Sequence, residues 1–261
     1  MASEARSTSP VVDPDQHQPL ILELKGISKT FGHVQALRDV DFQLRDGEVM
    51  ALVGDNGAGK STLIKVISGA HQPTSGEIYL EGQRVQIPNP RAATDLGIAT
   101  VYQDLALVDQ RSVAANLFLG REPARGIVVD RKRMIAEAED VIAKLHIRIP
   151  SVHALVGSLS GGQRQAVAIG RTMAQNSRII ILDEPTAALG VEQQQFVLDL
   201  VRQLKAHGHS IIIISHNLHH VFSAADRITV LRGGRQVGVR VKADTNSDEI
   251  IKLITGAEML A

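Results

Sequence analysis

The chain has 261 residues, 44% hydrophobic and 21% charged, with 28 basic and 28 acidic side chains that cancel and an isoelectric point near 7.2. That length and apolar content exclude disorder throughout, and the neutral balance excludes a basic footprint for nucleic acid or for an anionic membrane surface. Cysteine is absent, which excludes disulfides and thiolate metal sites. No apolar run approaches the roughly 20 residues that span a bilayer, the most apolar being 179–182 and 211–214, so a soluble chain is expected.

Residues 1–19 mix Ser, Pro, Asp and Gln without the apolar core of a signal peptide and read as a flexible tail. Residues 20–24 alternate apolar and polar side chains, and 34–44 do so less cleanly, which predicts an antiparallel patch. Between them lies Thr30-Phe31-Gly32. In a chain with five Phe, two Tyr and no Trp, Phe31 is a candidate stacking platform for a nucleotide base, with core packing as the other reading.

An apolar run at 49–53 leads into Gly54-Asp55-Asn56-Gly57-Ala58-Gly59-Lys60-Ser61, followed by Thr62 and an apolar helical pattern. Strand, glycine-rich loop and helix in that order fit the phosphate-binding loop. The glycines allow backbone N–H groups to turn around a phosphate chain at the positive end of a helix, Lys60 can reach the outer phosphates, and Ser61 can ligate magnesium. By itself this means only that the chain binds a nucleotide.

Residues 77–82 alternate as a strand ending in a turn, and 98–102 form another short strand with Gln103 at its end. Ligands of open α/β sheets sit at carboxyl ends of strands, so Gln103 is placed to carry chemistry. From 105 to about 175 the pattern turns helical. Ser112 caps one apolar helix, Asp130 opens another with Met134, Ala138, Val141 and Leu145 at helical spacing, and Pro150 is expected to end it. Leu159-Ser160-Gly161-Gly162-Gln163 precedes a third, a turn that offers a second anion site only weakly.

The run 179–182 ends in Asp183-Glu184. Such a strand is buried on both faces, as in a parallel central sheet, and two acids at its end facing a phosphate site are the expected magnesium and water ligands of a nucleotide hydrolase. An amphipathic helix over 191–205 exits at Gly208, and 210–214 repeats the buried-strand pattern and stops at Ser215-His216. Strands from 227 turn at Gly233-Gly234, and a helix near 248–254 closes the chain.

With these residues in order, the chain resembles the ATP-binding cassette subunit of an ABC transporter over nearly its whole length from about Leu20. The marker that phosphate-loop kinases and small GTPases lack is 159–163, which matches the family's signature segment. The stretches 55–63, 112–122 and 162–169 are most similar to the branch that imports monosaccharides such as ribose, xylose and fructose. The resemblance implies an α/β phosphate-loop NTPase core with a mainly parallel sheet, an antiparallel β patch and an inserted helical subdomain at about 105–175, all within a domain spanning 20–261.

It also implies that ATP is sandwiched between two copies of the cassette. Phe31 would stack on adenine, residues 54–62 would hold the phosphates, and Ser61, Gln103 and Asp183 would organise Mg2+. Ser160, Gly161, Gly162 and Gln163 of one copy would face the ATP of the other. Glu184 would polarise the attacking water, with His216 and Gln103 completing the catalytic set. The implied partners are a transmembrane permease, a second copy of the chain and, indirectly, a periplasmic sugar-binding protein, which puts the cassette on the inner face of the membrane. Two alternatives use the same motifs: a soluble ABC ATPase outside transport, which would carry a long coiled coil or a second cassette, and a nucleotide sensor, which would have lost Glu184 or His216. One position departs from the family's pattern: Gly190 stands where an Asp usually crosses to the partner.

Overall fold

The computed structural model describes residues 18–257, so the expectation for the first 17 residues lies outside the described residues. Two long strands, β1 (Leu20–Phe31) and β2 (Val34–Arg45), form a hairpin about Gly32-His33, and β4 (Ser75–Leu80) and β5 (Gln83–Val85) extend it into a four-stranded antiparallel sheet in the order β2-β1-β4-β5. Between these two pairs in sequence lie β3 (Val49–Val53), a strand of the second sheet, and the helix α1 (Lys60–Ile67). After a short helix α2 (Pro90–Asp95), β6 (Ile98–Val101) joins that second sheet at its edge.

The segment that reads as helical contains α3 (Val113–Leu117), a two-stranded hairpin of β7 (Ala124–Arg125) and β8 (Val128–Val129), α4 (Arg131–Lys144) and α5 (Gly161–Ala174). Ser112 and Asp130 cap α3 and α4 as their positions predict, accepting from the backbone N–H groups of Ala115 and Arg133. Pro150 does not end α4. The helix stops at Lys144, and His146 takes a left-handed backbone (φ 49°) that turns the chain four residues before the proline. The β7–β8 hairpin was not legible because its residues bury nothing: Ile127 at its tip is fully exposed.

The rest of the chain alternates strand and helix: β9 (Ile179–Asp183), α6 (Val191–Ala206), β10 (Ser210–Ile214), α7 (Leu218–Ala224), β11 (Arg227–Arg232), β12 (Arg235–Val241) and α8 (Ser247–Thr255). The six-stranded sheet has the order β12-β11-β3-β10-β9-β6, parallel throughout except for β12. Its central strands are aliphatic on both sides because each face meets a different core. Ala51, Leu182, Ile211 and Ile213 point to the side packed by α3 to α6. Met50, Leu52, Ile181, Ile212 and Ile214 point to the side packed by α1 and the antiparallel sheet.

One buried polar side chain organises the stretch that follows β6. Asn116 on α3 is fully buried; its Oδ1 accepts from Val108 N at 2.8 Å, and its Nδ2 donates to the carbonyls of Val108 and Ser112 at 3.0 Å and of Arg111 at 3.3 Å. It supplies partners that this irregular loop cannot find in a ladder. Asn116→Ala should therefore lower the unfolding free energy by about 1–3 kcal/mol in urea titrations. Hydrogen exchange should increase first at residues 106–112.

Candidate functional site

The site is assembled at the carboxyl edge of β3, β9 and β10. Gly54 leaves β3 with φ 150°, and a Cβ there would overlap the carbonyl oxygen of Leu231 on the neighbouring β11, so only glycine lets the loop leave the sheet at this angle. The loop is then held from behind by the β11–β12 turn: Gly234 N donates to Ala58 O at 3.1 Å, and Gly234 O accepts from Arg38 N at 2.8 Å. Sequence reasoning missed that buttress, because Gly233-Gly234 reads only as a hairpin turn. Together the loop residues 56–62, the β2 residues Val34, Gln35, Ala36 and Arg38 and the two glycines enclose a cleft of about 470 Å³. Phe31 is not part of that lining. It stands three residues before Val34 at the end of β1, 42% exposed, with His71 edge-on at 5.1 Å and the Lys29 ammonium 5.0 Å from its ring centre.

Lys60 folds back over the loop and donates to Gly54 O at 2.7 Å and Asp55 O at 2.9 Å. Burial lowers its pKa from the ordinary lysine value, opposed by the charges of Glu184, Asp55 and Asp183. The first turn of α1 has no side-chain cap, since its N-cap is Gly59, so its amides are left for a ligand. Asp183 ends β9. Burial raises its pKa, the neighbouring Glu184 raises it further, and Lys60 and Lys65 oppose both.

Glu184 adopts a left-handed backbone (φ 51°), which costs on the order of 1 kcal/mol or more for a residue with a Cβ. Its N–H is held by Ile214 O at 3.0 Å across the sheet, and its Oε2 lies 2.9 Å from Nδ1 of His216, whose side chain is otherwise 74% exposed. The sequence places these two residues at the ends of separate strands, and the parallel pairing of β9 with β10 brings them into contact. Gln103, two residues past β6, is exposed; β6 pairs with β9 so that Val101 is level with Leu182.

The signature turn has a different setting. Ser160 caps α5 through a reciprocal box: its Oγ accepts from Gln163 N, and its own N–H donates to Gln163 Oε1 at 3.0 Å. Gln163 Nε2 also ties down Arg148 O at 2.8 Å. Gly161 and Gly162 pack against the side chains of Leu189 and Gln193, so the turn faces the segment that enters α6 and not the cleft behind the phosphate loop. Gly190 sits in that segment as N-cap of α6, with open space where a side chain would be.

The three side chains expected around magnesium, Ser61, Gln103 and Asp183, have no hydrogen-bond donor or acceptor among the described residues. No group of three or more His, Asp or Glu that could hold a metal exists among those residues either. That donor set suits a hard divalent ion brought in with phosphate oxygens and does not suit a resident metal. Among the described residues no helix is long and apolar enough to cross a membrane.

Fold and site together define a phosphate-loop cassette that binds ATP. The sequence pattern of the ABC transporter family matches residues 37–187, and the chain belongs to that family of ATPases. It is 45% identical over 235 residues to the xylose/arabinose import ATP-binding protein XylG of Sulfolobus acidocaldarius, covering 90% of this chain and 94% of that one. It is 44% identical over 236 residues to the ribose import ATP-binding protein RbsA 1 of Streptomyces avermitilis, but spans only 45% of that longer protein. Among solved structures it is similar to the ADP conformation of an ABC transporter cassette (TM-score 0.77, 28% identity, 92% and 97% of the two chains). It is also similar to a dimeric bacterial ABC transporter cassette (TM-score 0.72, 25% identity, 85% and 98%).

The raised pKa of Asp183 has a consequence for stability. A carboxyl whose folded pKa lies above its unfolded value destabilises the fold once ionised, and the cost disappears below the unfolded value near pH 4. Without nucleotide, Asp183→Asn should therefore melt about 2 °C higher than wild type at pH 7, a sub-kcal/mol effect in a domain of this size. The difference should shrink to nothing as the pH falls towards 4, and calorimetry across that range measures it.

Proposed function

We propose that this chain is the ATP-hydrolysing subunit of an importer for a monosaccharide, working as a pair of cassettes under a membrane permease. The observation that carries the reading is the contact of Glu184 with His216 beside Lys60 and Asp183, at the edge where the phosphate loop ends. Relatives that are import ATP-binding proteins for xylose, arabinose and ribose support the sugar. The permease docks on the lobe of about 105–175, a periplasmic sugar-binding protein acts through it, and the cassette sits on the inner face of the membrane. The subunit comprises 20–261, behind a tail of 1–19.

Hydrolysis needs positioning and charge stabilisation more than covalent help. Lys60 and the amides of 57–62 bind the β- and γ-phosphates, exchanging the loop carbonyls that Lys60 holds for phosphate oxygens. Phe31, at the rim, stacks on adenine. Glu184 takes the proton of the attacking water as the water adds to the γ-phosphorus and the bond to the β-phosphate oxygen breaks. His216, fixed by its contact with Glu184, orients the water and the γ-phosphate, and Gln103 lies on the same edge. Ser61, Gln103 and Asp183 would hold Mg2+, which when bound neutralises phosphate charge. The signature residues Ser160 to Gln163 face away from the cleft of their own chain, so a second copy must supply them. The dimeric cassette among the solved relatives supports this arrangement. With Gly190 in place of an acid, the crossing between copies lacks one carboxylate.

Glu184→Gln is the decisive test. It keeps the shape of the side chain and leaves Lys60 and Asp183 in place, so ATP should still bind while turnover falls about 10²- to 10⁴-fold. The variant should accumulate as an ATP-bound dimer in light scattering. Wild-type turnover by this variant would remove Glu184 from the mechanism. Lys60→Ala should instead abolish tight ATP binding, since a charge-assisted phosphate contact contributes roughly 1.5–3 kcal/mol; unchanged affinity by titration calorimetry would sink the phosphate-loop assignment.

A further inference from the structure

The segment that carries Glu184 is held in an unfavourable shape. Glu184 and Ala188 both have left-handed backbones (φ 51° and 57°), and neither is a residue that adopts this region readily. Such a shape persists only where surrounding contacts over-determine it. Two of the tethers are visible at once: Glu184 N to Ile214 O at 3.0 Å, and Gln194 Nε2 to Leu189 O at 2.9 Å at the far end. Between them Gln194 Nε2 also donates to Thr186 O at 3.5 Å, and the Thr186 side chain supplies a further anchor. Thr186, 4% exposed, places its Oγ1 2.9 Å from Nδ1 of His220, itself 6% exposed on α7.

The hydrogen bonds determine the protonation of that histidine. Asn217 caps α7, its Oδ1 accepting from His219 N at 3.0 Å, which fixes the orientation of its amide. The Asn217 Nδ2 group therefore faces Nε2 of His220, at 3.4 Å, and a donor there requires Nε2 to accept. The ring is neutral, its proton is on Nδ1, and Nδ1 donates to Thr186 Oγ1. Burial, with His219 and His216 nearby, also keeps the pKa of His220 below the ordinary histidine value against the pull of Glu184. Thr186 lies two residues after Glu184, and His220 lies four after His216. Their bond joins the two segments, one of them running into α7, that carry the Glu184–His216 contact.

We propose that His220 is a positioning residue for ATP hydrolysis, and that its buried bond to Thr186 sets the placement of Glu184 against His216. The inference rests on the role given above to Glu184. Neither His220 nor Thr186 touches the cleft of the phosphate loop, so losing their bond should misplace the base without weakening nucleotide binding. A small displacement of a catalytic group is costly, because the rate depends on a narrow range of approach.

The test compares Thr186→Val, which removes only the hydroxyl, with His220→Leu, the double variant, and two conservative replacements, all in the full chain. His220→Asn puts an amide donor near the position of Nδ1, and Thr186→Ser keeps the hydroxyl. Steady-state ATP turnover, ATP affinity and melting temperature are measured for each, with Glu184→Gln as reference. The expected result is a kcat about 10-fold lower in Thr186→Val and in His220→Leu with ATP affinity within about two-fold of wild type, since only the placement of the base changes. The double variant should be no slower than either single one, because both remove the same bond. Turnover should recover to within about three-fold of wild type in Thr186→Ser and His220→Asn, which keep the donor and the acceptor of the Thr186–His220 bond.

Unchanged kcat in both Thr186→Val and His220→Leu overturns the inference while leaving Glu184 in its role, provided Glu184→Gln is inactive. Losses that multiply in the double variant, or that track ATP affinity and melting temperature together, overturn it too, since they mean independent or general structural damage. A Glu184→Gln variant as fast as wild type overturns both readings at once.

Discussion

Burial on both faces holds β3, β10 and β9 in fixed parallel register, and the phosphate loop, Asp183-Glu184 and His216 are all attached to the edge where they end. A strand buried on both faces cannot slip by one residue without exchanging the side chains of two separate cores. Ile212 and Ile214 lie with Met50 and Leu52 on one side, while Ile211 and Ile213 lie with Ala51 and Leu182 on the other. The phosphate loop, the acidic pair and His216 are therefore brought level by core packing and not by contacts among themselves.

The polar groups at that edge follow a division of labour set by partners. Lys60 and Glu184 each have a protein contact that a ligand can replace or use, whereas Asp183 has none and is pushed towards its neutral form by burial. A half-buried carboxyl without a donor costs stability, and a site that keeps one has the character of a binding site at rest. The signature turn is the opposite case. Ser160 and Gln163 satisfy each other in a capping box, and the glycines allow Leu189 and Gln193 to approach, so the turn is rigid before any second copy arrives.

The loops at the strand ends are tied by hydrogen bonds outside the sheet ladders. Asn116 pins residues 108–112, the β11–β12 turn supports the phosphate loop from behind, and the Thr186–His220 bond spans the two segments that carry Glu184 and His216. Asn116, Thr186 and His220 are buried and hydrogen-bonded, which makes each an element of geometry and not only of stability.

The sequence by itself determined the fold class, the family and the identity of nearly every polar group at the strand edge. Glycine spacing, continuous aliphatic runs and the terminal acids are local properties, and the chemistry requires them in the same local pattern. The caps at Ser112 and Asp130 were legible for the same reason. Only the tertiary structure decided what those groups touch. The end of α4 at Lys144, ahead of Pro150, is set by a left-handed residue that no propensity marks. The β7–β8 hairpin buries no periodic face, so its pattern carries no signal. His220 is one of ten histidines, and nothing in its neighbours along the chain separates it from the others. Its partner lies 34 positions away on the loop after β9, and a contact of that range exists only once the parallel strands have fixed both segments in place.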